Sequence, residues 1–263
     1  MKKTLRKVYW FLVAQLGIDL KILFYSFIGV PQYLKDLYKF KRTYNGIIKI
    51  MPCLHDRYEE GGTTKTEYFW QDLYVAQKIY HSCPEKHVDV GSRMDGFVAH
   101  VASFRPIEVF DIRRVESAIP NVTFTQADLT KPLPYLQEYC DSLSCLHALE
   151  HFGLGRYGDS IDSDGYKSGL CSMAGLLKNA GLFYLATPIG KPQIFFNAHR
   201  VFDPRELRVF VEELGFELVD FAWFGSEKKI INSSNVDLDF DVLAGEEYSL
   251  GIFTFIKRNG ATN

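Results

Sequence analysis

Apolar residues fall in short blocks separated by polar turns over most of the chain. HVDV (87–90), IEVF (107–110), VTFTQ (122–126), SLSCL (142–146) and LFYLATP (182–188) are runs of strand length. Helical patterns lie between or beside them. Phe69, Leu73, Ala76 and Tyr80 recur at spacings of three and four from about Glu67 to Tyr80. GFVAHVASF (96–104) reads as a helix, and YKSGLCSMAGLLKN (166–179) as another, closed by Gly181. DPRELRVFVEELG (203–215) carries the clearest signals: Asp203 caps it, Pro204 takes the first helical position and Gly215 stops it. FELVDFAWF (216–224) and LGIFTFIKR (250–258) are late strands joined by a polar loop with no clear helix, which predicts an antiparallel edge hairpin. Strands that alternate with helices require a mostly parallel sheet covered on both faces. The expected class is α/β, a doubly wound sheet that binds ligands at the carboxyl ends of its strands.

The first 45 residues follow another pattern. Nine basic residues among positions 1–43 face only Asp19 and Asp36, a net charge of +7, which leaves −9 for the remainder. Between the basic clusters lies VYWFLVAQLGIDLKILFYSFIGV, interrupted by Asp19 and Lys21, so no uncharged run reaches the roughly 20 residues that span a bilayer. Pro31 is expected to end the first helical region, and YLKDLYKFKRTYN to form a short basic helix or linker. Two readings of the segment stand. One is an in-plane amphipathic helix whose aromatic residues Tyr9, Trp10, Phe11, Phe24, Tyr25 and Phe27 enter an anionic membrane surface through residues 1–43. The other is a helix whose apolar face packs on the rest of the chain. A signal peptide fits the basic start and short apolar core, but no small-x-small cleavage site follows. The expected organisation is a basic amphipathic extension over 1–45 and one larger domain over 46–263.

Composition narrows the class further. With 47% hydrophobic and 24% charged residues the chain can bury a real core. A net charge of −2 gives no global case for nucleic-acid binding. The five cysteines are odd in number and contain no C-x-x-C, which argues against a disulfide framework or a cysteine metal site and favours a reducing, cytoplasmic setting, peripheral to a membrane if the first segment lies on one.

Candidate chemistry gathers at the strand ends. The first strand runs into VDVGSRMDG, where Gly91 permits a sharp turn and close approach of backbone N–H groups to a ligand. The second ends at Asp111, 20 residues after Gly91, the spacing at which an acidic side chain meets a ribose diol. The third ends at Asp128, placed to accept from an adenine amino group, and the fourth runs into LHALEH. Three such signals on consecutive strand ends describe a nucleoside pocket.

The stretches VDVGS, EVFDIR, TQADLT, DSLSCLHALEHFG, GLLKNAGLFYLATP and FNAHRVFDPRELRVFVEELGFELVDF together resemble the class I S-adenosylmethionine-dependent methyltransferases over roughly residues 68–257. More narrowly, YFWQDLYVA and LEHFGLGRYGD resemble a little-characterised domain-of-unknown-function family with a methyltransferase-like fold. The resemblance implies a Rossmann-like sheet of the class I methyltransferase type and S-adenosyl-L-methionine as cofactor. It implies that Asp89, Gly91, Ser92 and Arg93 approach the methionine part, Asp111 and Ile112 the ribose, Asp128 and Leu129 the adenine, and Leu146 the sulfonium side. One departure stands out: the family's G-x-G-x-G loop is here Gly91-Ser92-Arg93-Met94-Asp95-Gly96, with Arg93 and Asp95 in place of glycines. Arg93 either pairs the cofactor carboxylate or blocks the pocket, and a binding protein without catalysis is the alternative this loop motivates.

Transfer of a methyl group to a hydroxyl needs alignment and a base. His147, His151 and His199 are the candidate bases, with Glu150 orienting a histidine or binding sugar hydroxyls. Tyr68 and Gln71, with Asp72, are expected to close over the cofactor, and Arg156, Tyr157 and Asp159 to recognise a polar acceptor, a small molecule or a glycan that is O-methylated. His147, Glu150 and His151 also spell H-x-x-E-H, a zinc-hydrolase pattern. That reading needs both histidines on one helical face, and SLSCL before them with Gly153 and Gly155 after them oppose it. No metal is expected.

Overall fold

The structure, a computed structural model, describes residues 2–62 and 64–258, with side chains from Val8 onward. The basic side chains of Lys2, Lys3, Arg6 and Lys7 therefore lie outside the described residues, as do Met1, Thr63 and residues 259–263 of the expected domain extents. The chain divides into two units, Met1–Thr63 and Thr64–Asn263.

In the first unit, α1 (Lys2–Leu16) stops at Gly17, whose φ of 68° is the left-handed conformation glycine tolerates. Asp19 then caps α2 (Leu20–Lys41) by accepting from Lys21 N at 2.8 Å. Pro31 does not end the helix, contrary to expectation, but lies inside it. A proline within a helix removes one hydrogen bond and crowds the preceding turn, a cost of about 3 kcal/mol. Packing along one side of α2 opposes that cost. Tyr25 stacks on Tyr58 with ring centroids 5.0 Å apart, and Asp36 pairs with Arg57 at 3.1 Å. Gly29 is pressed so closely on Leu54 that a Cβ there would meet its carbonyl oxygen at 2.0 Å. These contacts keep residues 46–62 with the first unit, so the division falls later than the expected 45/46 boundary. No single helix among the described residues is long and apolar enough to cross a membrane; Val8–Leu16 and Leu20–Lys41 meet the length and composition only together, bent by 79°.

The second unit is an eight-stranded sheet. Its strands are β1 (His87–Val90), β2 (Ile107–Asp111), β3 (Val122–Gln126), β4 (Cys140–Leu146), β5 (Leu177–Ile189), β8 (Phe216–Phe224), β9 (Ile230–Asn232) and β10 (Ser249–Lys257), in the order β3-β2-β1-β4-β5-β10-β8-β9. Strands β1 to β5 are mutually parallel, whereas β10 runs antiparallel between β5 and β8. A separate hairpin pairs β6 (Gln193–Phe195) with β7 (His199–Val201). The helices are α3 (Glu67–Ser82), α4 (Ala99–Ala102), α5 (Gly165–Leu176), α6 (Pro204–Glu213) and α7 (Val236–Leu243).

Alternation along the strands divides the core. Phe110, Leu143, Cys145, Phe183, Leu185, Phe253 and Phe255 join one cluster, while Val109, Leu146, Tyr184, Ala186, Leu250 and Ile252 join the other with α3 and α4. Each large apolar side chain buried this way contributes about 1.5–3 kcal/mol. The buried stripe of α3 is Asp72, Val75, Ala76 and Ile79, rotated from the predicted Phe69, Leu73, Ala76 and Tyr80. Polar Gln71 and Asp72 are buried as well, and they turn toward the site. The predicted helix over 166–179 ends three residues early: Leu177 is fully buried and pairs with Cys140 at the start of β5. Strand β9 and helix α7 occupy the polar loop between the last two predicted strands, and the β6–β7 hairpin was not apparent from the pattern.

Candidate active site

The carboxyl ends of β1 to β4 open onto one cavity of about 360 Å³. It is lined by Gly91, Ser92, Arg93, Asp111, Ile112, Asp128, Leu129 and Leu146, and also by Tyr68, Gln71, His147, His151, Arg156, Tyr157 and Asp159. Three predicted site residues do not line it: Asp89, Glu150 and His199.

Below the first turn is a buried polar chain. Asp89 accepts from Ser144 Oγ at 2.5 Å, Ser92 Oγ at 2.7 Å and the Ser92 backbone N–H at 3.0 Å. His87 lies within hydrogen-bonding distance of Ser142 Oγ, at 2.8 Å, and Ser144 Oγ, at 3.2 Å. Burial pushes the Asp89 carboxyl up to about 6 and the His87 imidazole down to about 3. Asp89 therefore acts from behind the cavity, holding the backbone of the turn. Gly91 has φ of 76°, and a Cβ there would come within 2.8 Å of Ala148 Cβ, so this position requires glycine. Arg93 does not fill the cavity: its guanidinium makes a two-pronged pair with Asp95 at 3.0 and 2.7 Å, and both side chains are exposed. Gly96 is also constrained, because a Cβ would meet Asp72 Oδ2 at 2.6 Å.

Asp111 is not free. Its Oδ1 accepts from Arg113 N at 2.8 Å and Arg113 Nε at 3.0 Å, and its Oδ2 from Arg113 Nη2 at 2.6 Å. The Arg113 guanidinium lies 4.3 Å from the Tyr157 ring centroid. Arg113 was missed as a site residue, although its place two residues after the strand-end acid was a readable signal. Asp128 Oδ1 accepts from Thr130 N and Oγ1 at 3.1 and 2.6 Å, and its Oδ2 pairs with Lys131 at 3.1 Å. Burial disfavours the Asp128 anion, but these partners prevail and hold its pKa below the ordinary value.

The stretch after β4 is not a helix. His147 has a left-handed φ of 53°, and Leu149–His151 form a single 3₁₀ turn. The zinc-hydrolase pattern therefore lacks the helical face it needs. His147 Nδ1 faces Gln71 Oε1 at 2.8 Å and Nε2 faces Glu67 Oε1 at 3.1 Å. Gln71 Nε2 donates to Asp72 Oδ1 at 3.0 Å, which orients the amide so that its oxygen faces the histidine. Two acceptors require two ring N–H donors, so this geometry holds an imidazolium. Burial opposes that charge; the Glu67 hydrogen bond and the charges of Glu150, Glu67 and Asp72 outweigh it and raise the His147 pKa. Tyr248 also donates to Glu67, and the Tyr68 ring lies 4.3 Å from the His147 ring.

His151 is different. Its Nδ1 lies 2.6 Å from the Ala198 carbonyl oxygen, so Nδ1 carries the proton and Nε2 keeps a lone pair. Burial and the nearby Arg156 charge press its pKa down to about 3. Glu150 Oε1 is 3.6 Å from Nε2, and the Glu150 carboxyl is buried, with its pKa raised by that burial. Glu150 thus faces Nε2 of His151 from outside the cavity lining. His199 stacks against Phe195 at 4.9 Å on the small hairpin instead of entering the cavity.

Asp159 is a loop organiser. Its Oδ2 accepts from the backbone of Gly153 at 2.7 Å and Gly155 at 3.2 Å, and its Oδ1 from Tyr157 N at 3.3 Å. Arg200, buried, donates to the carbonyl oxygens of Phe152, Asp162 and Ser163 and ties the same loop down from outside. These contacts present Tyr157 and Arg156 to the cavity, where the Tyr157 ring also meets His151 edge-on at 5.5 Å.

The family described as Caenorhabditis protein of unknown function, DUF268, matches residues 101–245, more than half of the 263-residue chain. No curated protein matches the sequence. Among solved structures, the 1,6-didemethyltoxoflavin-N1-methyltransferase of Burkholderia thailandensis, with bound 1,6-didemethyltoxoflavin and S-adenosylhomocysteine, is similar with a TM-score of 0.52 and 15% identity, over 81% of this chain and 94% of that one. An S-adenosylmethionine-dependent methyltransferase from Clostridium acetobutylicum is similar with a TM-score of 0.50 and 10% identity, over 74% and 93%. At these identities the likeness establishes the fold: a Rossmann-like sheet of the class I methyltransferase type with an antiparallel edge.

Proposed function

The chain belongs to the family of Caenorhabditis proteins of unknown function, DUF268, and on that premise we propose that it is an S-adenosylmethionine-dependent methyltransferase that O-methylates a polar acceptor, a small molecule or a glycan. The observation that carries this reading is the convergence of Gly91, Asp111, Asp128 and Leu146, from four adjacent strand ends, on one cavity. Its volume of about 360 Å³ lies in the range of small-molecule sites, about 300–1,000 Å³. The cradle fits a nucleoside: Gly91 carries no side chain into the cavity it lines, and Asp111 Oδ2 accepts one hydrogen bond among the described residues and so keeps a lone pair for a ribose hydroxyl.

Bound S-adenosylmethionine supplies a methyl carbon made electrophilic by its sulfonium. The chain's own residues do the rest. Ser92 and the backbone held by Asp89 shape the methionine end, and Leu129 and Ile112 offer apolar contact to the base and ribose. His151 Nε2 takes the acceptor's hydroxyl proton as the oxygen receives the methyl group. Glu150 Oε1, 3.6 Å from that same nitrogen, stabilises the imidazolium so formed. His147, with both nitrogens donating, fixes Gln71 in the cavity lining and pairs with Glu67 outside it. Arg156, Tyr157 and Tyr68 orient the acceptor.

Incubation with methyl-labelled S-adenosylmethionine and a mixture of polyols, glycans and glycolipids tests the proposal. Label appearing on a hydroxyl, and lost with His151→Ala, is the expected result. No transfer to any acceptor, with cofactor bound normally, favours a binding protein of the same fold, the second reading motivated by Arg93 and Asp95 in the turn.

A further inference from the structure

Helix α2 has two opposed faces, and both are apolar in part. One carries Tyr25, Ser26, Gly29, Gln32, Tyr33 and Asp36, all at least partly covered, and it packs on residues 54–58 through the Tyr25–Tyr58 stack, the Gly29–Leu54 contact and the Asp36–Arg57 pair. The opposite face carries Leu20, Leu23, Phe24, Phe27, Leu34 and Tyr38 within one arc of the helical projection, and every one is exposed. Phe27 is 77% exposed, and Ile47 and Met51 beyond the helix are 89% and 84% exposed. An apolar stripe of this length facing water on a stable helix demands an occupant.

Charge identifies it. Lys21, Lys35, Lys39, Lys41 and Arg42 are exposed along the same helix and just past its end. On a helical projection Lys21, Lys35 and Lys39 fall together on one flank of the stripe. The two acids of the segment are turned to other tasks: Asp19 caps the helix and accepts from Tyr9, and Asp36 lies on the covered face with Arg57. An apolar stripe bordered by cations and free of carboxylates matches the boundary between acyl chains and anionic headgroups, where aromatic rings and long basic side chains both find favourable surroundings. The 79° bend between Val8–Leu16 and α2 suits helices lying along such a surface better than one crossing it.

We propose that the exposed face of α2 docks in the plane of an anionic lipid surface, with Phe24, Phe27 and Leu34 entering the acyl boundary and Lys35 and Lys39 meeting the headgroups. The test is co-sedimentation of the full chain with phosphatidylcholine vesicles, with and without phosphatidylserine. The protein is expected to pellet with the anionic vesicles alone, to be released by salt, and to be extracted by alkaline carbonate. Phe27→Glu with Leu34→Glu should abolish pelleting while leaving circular dichroism and the melting temperature unchanged. Should that pair disturb folding, Lys35→Gln with Lys39→Gln, two exposed positions, should weaken binding by about thirtyfold. Absence of pelleting, equal binding to neutral vesicles, or binding untouched by both pairs would overturn the proposal. So would carbonate-resistant insertion, or self-association through the stripe in place of lipid binding.

Discussion

A histidine held between two acceptors and a histidine anchored on one carbonyl are different reagents. His147 lies between Gln71 Oε1 and Glu67 Oε1, so it holds its proton, and its raised pKa follows from that geometry. The sign is that of a cation gaining partners: its stabilisation is complete below the ordinary histidine value of 6.5 and is lost as pH rises through the elevated one. A His147→Gln variant should therefore lose less stability than the parent as pH is raised above neutral, read by thermal melts. His151 keeps a free Nε2, and His151→Ala should lower kcat by about a hundredfold or more, with a smaller effect on KM. At Asp111 the competition is local. Arg113 uses both lone pairs of Oδ1, so a ribose diol gripping both oxygens must displace it. Arg113→Ala should bind S-adenosylmethionine about fivefold more tightly by calorimetry, the scale of one partly exposed ion pair.

The elements explain which parts of the fold were readable in advance. Strands β1 to β5 and helix α6 announce themselves because their apolar runs and caps are local signals; Asp203 does accept from Arg205 N at 2.9 Å as a capping residue should. The rotated stripe of α3 was hidden because its buried face carries Gln71 and Asp72, polar residues bonded to each other and, through Gln71, to His147 far along the chain. The continuation of α2 through Pro31 was hidden for a similar reason, since packing on Leu54, His55 and Tyr58 outweighs the local penalty. Glycine and aspartate in GLGRYGD read as a ligand loop; the structure shows that Asp159 faces its own backbone instead. Replacing it by Ala leaves three backbone donors without that acceptor, and we expect about 1–3 kcal/mol of destabilisation together with faster proteolysis between Gly153 and Gly158.

At the scale of the whole molecule, buried titratable groups set the response to acid. His87 and His151 are neutral in the folded chain down to about pH 3, whereas an ordinary histidine charges near 6.5. The unfolded chain binds more protons in that window, so stability is complete above 6.5 and is lost as pH falls toward 3. Asp89, raised to about 6 from 3.8, acts in the opposite sense: its contribution is complete below 3.8 and lost as pH rises toward 6. Each of the two histidines shifts further than Asp89, and the melting temperature should decline as pH is lowered from 6.5, with a shallower decline in a His151→Gln variant. The same sheet that buries these groups brings four strand ends to one cavity, and the central claim is that this cavity holds S-adenosylmethionine. Calorimetric titration of the full chain with S-adenosylmethionine tests it most directly. Saturable binding at one site per chain, abolished by Asp111→Ala in a protein that melts as the parent does, is the result expected. No saturable binding, or binding indifferent to Asp111→Ala, would contradict it.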